Sequence, residues 1–167
     1  MKQFFLHLLF LLLAAVLCGC SEYTNDSKYR SDCPRFGAMT LSADPVRAGV
    51  PVTITCVESR AGKLLNTTLY NWTVLPAEGV STNPSVVEKG LYDGKNPTCT
   101  IIFPHTGTYS VIFRADYAGS GQVNYFDESE KLEDGTKAQY SANTASETSP
   151  QRDYLHAVLT RSVVVKQ

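Results

Sequence analysis

The chain has 167 residues, 43% of them hydrophobic, 19% charged and 10% aromatic, with a formal net charge of −1. That length fits one domain with an extension and excludes a large multidomain enzyme. The near-neutral balance gives no basic footprint for nucleic acid, and β-branched and aromatic residues are too plentiful for a disordered chain.

At the N-terminus, Lys2 precedes a nearly unbroken apolar run from Phe4 to Leu17. One positive charge, an apolar stretch and then small residues is the layout of a secretory signal, and the run falls short of the ~20 residues a transmembrane helix needs. Leu17-Cys18-Gly19-Cys20 follows. It resembles the bacterial lipobox, with Leu17 at the aliphatic position, Gly19 at the small one and Cys20 at the lipidated one. The resemblance implies removal of residues 1–19, cleavage between Gly19 and Cys20, and acyl chains on Cys20 that anchor the protein in a membrane.

The mature chain then holds 148 residues, and loss of Lys2 leaves 14 basic against 16 acidic residues. Ser21 stands where inner-membrane retention signals usually show Asp, which favours the outer membrane. Glu22 and Asp26 partly resemble the acidic export signal of surface lipoproteins in the Bacteroidetes, which implies surface exposure. Residues 20–35 are expected to be the lipidated cysteine and a flexible tether. The stretch 21–33 has little aliphatic content and no period, and a coil of that length reaches ~20 Å.

From Phe36 onward, short alternating runs are punctuated by Pro and Gly, so 36–167 is expected to form an all-β domain. Strands are predicted at Gly37–Ala43, Pro51–Glu58, Thr68–Leu75, Ser85–Lys89, Thr98–Phe103, Gly107–Tyr117 and Ala157–Lys166. In the second, Val52, Ile54 and Cys56 share a face. Tyr70, Trp72 and Val74 do so in the third, Cys99, Ile101 and Phe103 in the fifth, and Tyr109, Val111, Phe113 and Ala115 in the sixth. Asp93-Gly94 suits a tight turn. Pro104-His105-Thr106-Gly107-Thr108-Tyr109-Ser110-Val111 is similar to the Pro-x-x-Gly-x-Tyr-x-Val signature of PKD and related immunoglobulin-like domains, and Tyr70-Asn71-Trp72 resembles their third-strand Tyr-x-Trp. In place of the acidic and glycine-rich continuation stands Thr73-Val74-Leu75-Pro76. The resemblance implies an immunoglobulin-like (PKD-like) β-sandwich of about seven strands over 36–117 and 155–166, with Tyr109 as a corner tyrosine bonding nearby backbone.

Ala118–Tyr154 is then a long insertion between the sixth and seventh strands. Its polar composition reads first as a mobile, solvated loop. A binding surface and an additional element packed on the sheet are the alternatives.

Chemistry-bearing residues are sparse. Cys33, Cys56 and Cys99 remain after processing, an odd number for an oxidising compartment. A Cys56–Cys99 disulfide, buried free thiols, and a bridge from Cys33 to either all stay open, and each is structural. His105 and His156 have no ligand-spaced partners, so no metal site or cofactor is expected. Asp127, Glu128, Glu130, Glu133 and Asp134 read as a solvated face and not as a calcium loop. No nucleophile elbow, phosphate loop or catalytic residue is recognisable, so no enzymatic activity is expected. Tyr117, Tyr125, Phe126, Tyr140 and Tyr154 either form a recognition platform or anchor the long loop. The sequence therefore points to a surface-anchored lipoprotein whose domain makes protein contacts, as PKD-like modules do. Glycan binding through the loop aromatics is the alternative.

Overall fold

Period-two alternation of apolar and polar side chains fits a half-buried strand, and it recurs along most of the chain. The computed structural model describes residues 27–77, 85–89, 97–143 and 154–167. Among the described residues, a single 3-10 turn, Ser27–Tyr29, precedes ten strands. They are β1 (Arg35–Leu41), β2 (Val46–Arg47), β3 (Pro51–Arg60), β4 (Leu65–Pro76), β5 (Ser85–Lys89), β6 (Thr98–Ile102), β7 (Gly107–Gly119), β8 (Phe126–Lys131), β9 (Lys137–Asn143) and β10 (Tyr154–Lys166). The turn expected at Asp93-Gly94 lies outside the described residues.

The strands form two sheets that pack as a sandwich. One has the order β1-β3-β6-β5, and the other β4-β7-β10-β9-β8, with β2 pairing in parallel onto the end of β10. The chain thus leaves the first sheet after Leu41, passes a cis Asp44–Pro45 bond, and joins the second at Val46. β10 is paired along both edges: β7 runs along one, while β9 and then β2 share the other.

The inward rows are the ones alternation selects. Val52, Ile54 and Cys56 on β3, Cys99 and Ile101 on β6, and Tyr109, Val111, Phe113 and Ala115 on β7 are all buried. Phe113 ties the sheets together: its ring lies 4.8 Å from Trp72 on β4 and edge-on to Phe36 on β1 at 5.6 Å. Phe36 and Met39 are three residues apart yet both point inward, because the β1–β3 register shifts between Phe36 and Ala38. The Tyr109 hydroxyl donates to the His105 carbonyl at 3.0 Å.

Two expectations need correction. The insertion after the sixth predicted strand is no simple loop: β8 and β9 form an antiparallel hairpin, and β9 pairs with β10 from Lys137↔Thr160 to Asn143↔Tyr154. Its inward side chains Ala138, Tyr140 and Ala142 are fully buried. Small residues let β9 approach the opposite sheet, and Asp134-Gly135, with Gly135 at φ +83°, supplies the turn. The second concerns residues 29–33, expected to belong to a flexible tether. Residues 29–33 are fixed to the body by backbone hydrogen bonds: Gln122 N to Tyr29 O, Ser31 N to Gln122 O, and a reciprocal pair between Asp32 and Lys63.

Candidate functional site

β1, β4 and β10 begin at one end of the sandwich, and β3, β7 and β9 finish there. This proximal end receives the N-terminal segment and carries the connections 61–64 and 120–125. The distal end carries the connection 103–106 and the C-terminus, while the β8–β9 turn lies midway along β10, beside Thr160 and Arg161.

Ser31 organises the proximal end. It is almost fully buried, its hydroxyl donates to Leu64 O at 2.8 Å, and it accepts from Gly121 N at 2.9 Å. One serine therefore ties the N-terminal segment to both connections: it gives Gly121 N an acceptor, and it adds a second donor to Leu64 O, which also accepts the Ser120 N–H. Packing there is close enough to demand glycine at 121, since a Cβ would sit 2.4 Å from Tyr29 O and 2.8 Å from Leu64 Cδ1. Leu64 holds a left-handed backbone at φ +49°, a conformation that favours Gly or Asn, and its side chain is 43% exposed. Tyr29 at 58% and Tyr125 at 72% are exposed at this same end. Lys63 meets Asp32 at 3.9 Å.

Of the aromatic residues singled out in the sequence, the structure separates rather than gathers the set. Tyr117 is buried on β7, edge-on to Tyr70, and burial raises its hydroxyl pKa. Tyr140 is also buried, and its hydroxyl accepts the Phe36 N–H at 3.0 Å. The Arg35 guanidinium lies over the Tyr140 ring at 4.2 Å. Burial, only partly offset by the Phe36 N–H and Arg35, pushes the Tyr140 phenol up to about 12. Neither can serve as a recognition platform. Phe126 is half-buried against the core, and Tyr154 stacks with His156 at 6.4 Å. Tyr125 remains widely open.

The cysteines follow the register. Ile54 lies opposite Cys99, while Cys56 is opposite Met39 and bonds through its N–H to Pro97 O. Cys56 and Cys99 are therefore diagonal neighbours, at a Cα spacing of ~7–8 Å that exceeds the usual disulfide range. Cys33, Cys56 and Cys99 are buried free thiols, the second of the three alternatives left open by the sequence, and no Cys56–Cys99 bridge forms. Burial pushes Cys33 and Cys99 up to about 12, and Cys56 upward as well.

The chain matches no family model, no curated protein and no solved structure. What the fold offers must therefore be read from its own residues. His156 Nδ1 meets Asp116 Oδ1 at 2.6 Å on the outer face of the larger sheet, and its other nitrogen meets Asn143 Nδ2 at 3.1 Å. The carboxylate makes Nδ1 the donor, so Nε2 accepts from the Asn143 amide. Among the described residues, no group of three His, Cys, Asp or Glu side chains is placed to hold a metal ion. The acidic cluster divides: Glu128 pairs with Arg35 at 2.5 Å, whereas Asp134 accepts from Met39 N and Arg161 Nη1, each at 2.8 Å. The sequence reading missed this latch between the hairpin and β1. Gly19 and Cys20 lie outside the described residues.

Proposed function

We propose that the chain is a lipoprotein of the cell envelope, anchored through Cys20 in the outer membrane and exposed at the cell surface. Its folded part is a non-catalytic immunoglobulin-like domain of the PKD type that makes protein contacts. The observation that carries this reading is Leu17-Cys18-Gly19-Cys20 directly after the apolar run from Phe4. A secretory signal followed by a small residue and cysteine is the chemistry that lipidation and cleavage require. Support for the domain type comes from strand order. β1-β3-β6-β5 facing β4-β7-β10 matches the ABED and CFG sheets of a constant-type immunoglobulin sandwich, with the β8–β9 hairpin added before the last strand. The Tyr109–His105 bond is the tie expected of a corner tyrosine. Burial of Tyr117 and Tyr140 removes two of the five aromatics on which glycan binding would rest, so protein contact is the preferred reading.

Growth on labelled palmitate tests the anchor. The wild type incorporates label, and a Cys20→Ala chain that remained labelled would refute it. Crosslinking on intact cells, followed by capture of the chain, identifies a protein partner. Retention on a glycan affinity gel that is abolished by Tyr125→Ala would favour glycan binding instead.

A further inference from the structure

We infer that the proximal end of the sandwich rests on the lipid headgroup layer, with Tyr29, Leu64 and Tyr125 at the water–lipid boundary. This deepens the lipoprotein reading and rests on it.

Chain length bounds the reach of the anchor. From Cys20 to Ser27, the first described residue, there are seven Cα steps, and whatever conformation they take they cannot span more than ~25 Å. The thirteen-residue strands β7 and β10 run ~43 Å at strand rise. Because residues 29–33 are bonded to Gln122 and Lys63, they add no slack. An acylated Cys20 therefore holds the proximal end within ~25 Å of the bilayer, a reach shorter than β7 and β10, so that end is the one placed to meet the headgroups. The connections between strands that would serve as an antibody-like binding end are turned toward the membrane.

The surface at that end suits the position. Tyr29, Leu64 and Tyr125 are three of the large hydrophobic side chains that the fold leaves exposed. Tyrosine favours the headgroup level, where its ring is sheltered and its hydroxyl stays wet. Leu64 is the most telling of the three. A left-handed position in a tight connection would be eased by Gly or Asn, yet it carries an exposed leucine. The Ser31 hydrogen bonds and the close approach at Gly121 hold Leu64 and Tyr29 together, so these two members of the patch are preformed. Lys63 lies 3.9 Å from Asp32 at this end.

The test uses the full, lipidated chain reconstituted in vesicles of phosphatidylethanolamine and phosphatidylglycerol containing a headgroup-nitroxide lipid. Single cysteines replace Tyr29, Leu64 or Tyr125 at the proximal end, or Val50 or Val164 elsewhere, and carry a fluorescent label. Cys33, Cys56 and Cys99 are buried and leave the introduced thiol as the reactive one. In parallel, flotation and mass measurement establish that Cys20 is acylated. Quenching at 29, 64 and 125 severalfold above that at 50 and 164 is the expected result. An acylated, floating protein with equal quenching at all five positions overturns the inference and leaves the lipoprotein reading standing. A chain that is neither acylated nor floating overturns both. Labels shielded on intact cells but open in the vesicles would show that a protein covers the patch, and would also overturn the inference.

Discussion

Asp134, in the turn between β8 and β9, accepts the backbone N–H of Met39 on β1 at 2.8 Å. The hairpin thereby bonds the margin of the opposite sheet. Arg161 completes the latch, donating to Asp134 Oδ2 at 2.8 Å and to the Met39 carbonyl. Burial alone would raise the Asp134 carboxyl, but the N–H groups of Thr136 and Met39 and the Arg161 charge outweigh it and hold the pKa below the usual value. A depressed folded-state pKa stabilises above the unfolded value of 3.8, and that stability is lost as pH falls through the folded value. Asp134→Ala should cost about 1–3 kcal/mol at neutral pH. Urea midpoints measured against pH should show the gap from wild type closing below pH ~4.

Trp72 and Phe113 pair at 4.8 Å near the middle of the core. Trp72→Ala removes a buried indole between strands that cannot collapse around the space, and should cost ~3–5 kcal/mol. A denaturation midpoint unchanged by this substitution would contradict the inward phase of β4.

That phase was readable because large side chains alternate with threonine and asparagine along β4, and the same holds for β3, β6 and β7. The hairpin was harder to see. β8 reads Phe-Asp-Glu-Ser-Glu-Lys and is largely exposed, while β9 turns two alanines and one tyrosine inward, so neither strand carries the usual hydrophobic signature. Asp134-Gly135 between two alternating segments was the signal available. Residues 29–33 look like a linker because Arg30, Ser31 and Asp32 are polar. They dock through backbone hydrogen bonds, which composition does not record. Tyr140 and Tyr125 look alike in sequence, but strand phase buries one in the core and leaves the other open at a strand end.

Ser31→Ala tests the docked segment. The substitution leaves Gly121 N without its acceptor, while Leu64 O keeps the Ser120 N–H, so about 1 kcal/mol should be lost. Protection of the Gly121 and Gln122 amides in hydrogen exchange should fall with it. Tyr125→Ala, at a widely exposed position, should lie within about 0.5 kcal/mol of wild type. A Ser31→Ala protein with wild-type amide protection would mean that residues 29–33 are not held by this bond.

The three buried thiols give the protein an alkaline limit. In the unfolded chain they titrate near 9.0, whereas burial pushes Cys33 and Cys99 to about 12 in the fold and Cys56 upward too. A raised folded-state pKa leaves stability intact below the unfolded value, and stability then falls as pH rises from about 9 toward 12. Each thiol contributes a slope of up to about 1.4 kcal/mol per pH unit in that window. Replacing Cys99 with Ala should flatten the decline, since alanine has no proton to lose, at the expense of a small cavity. The native protein should react slowly with an aromatic disulfide reagent at pH 8. If the chain is processed and acylated at Cys20 as proposed, its denatured form should release three equivalents at once, the count set by Cys33, Cys56 and Cys99. A single equivalent would show that two of them are bridged after all.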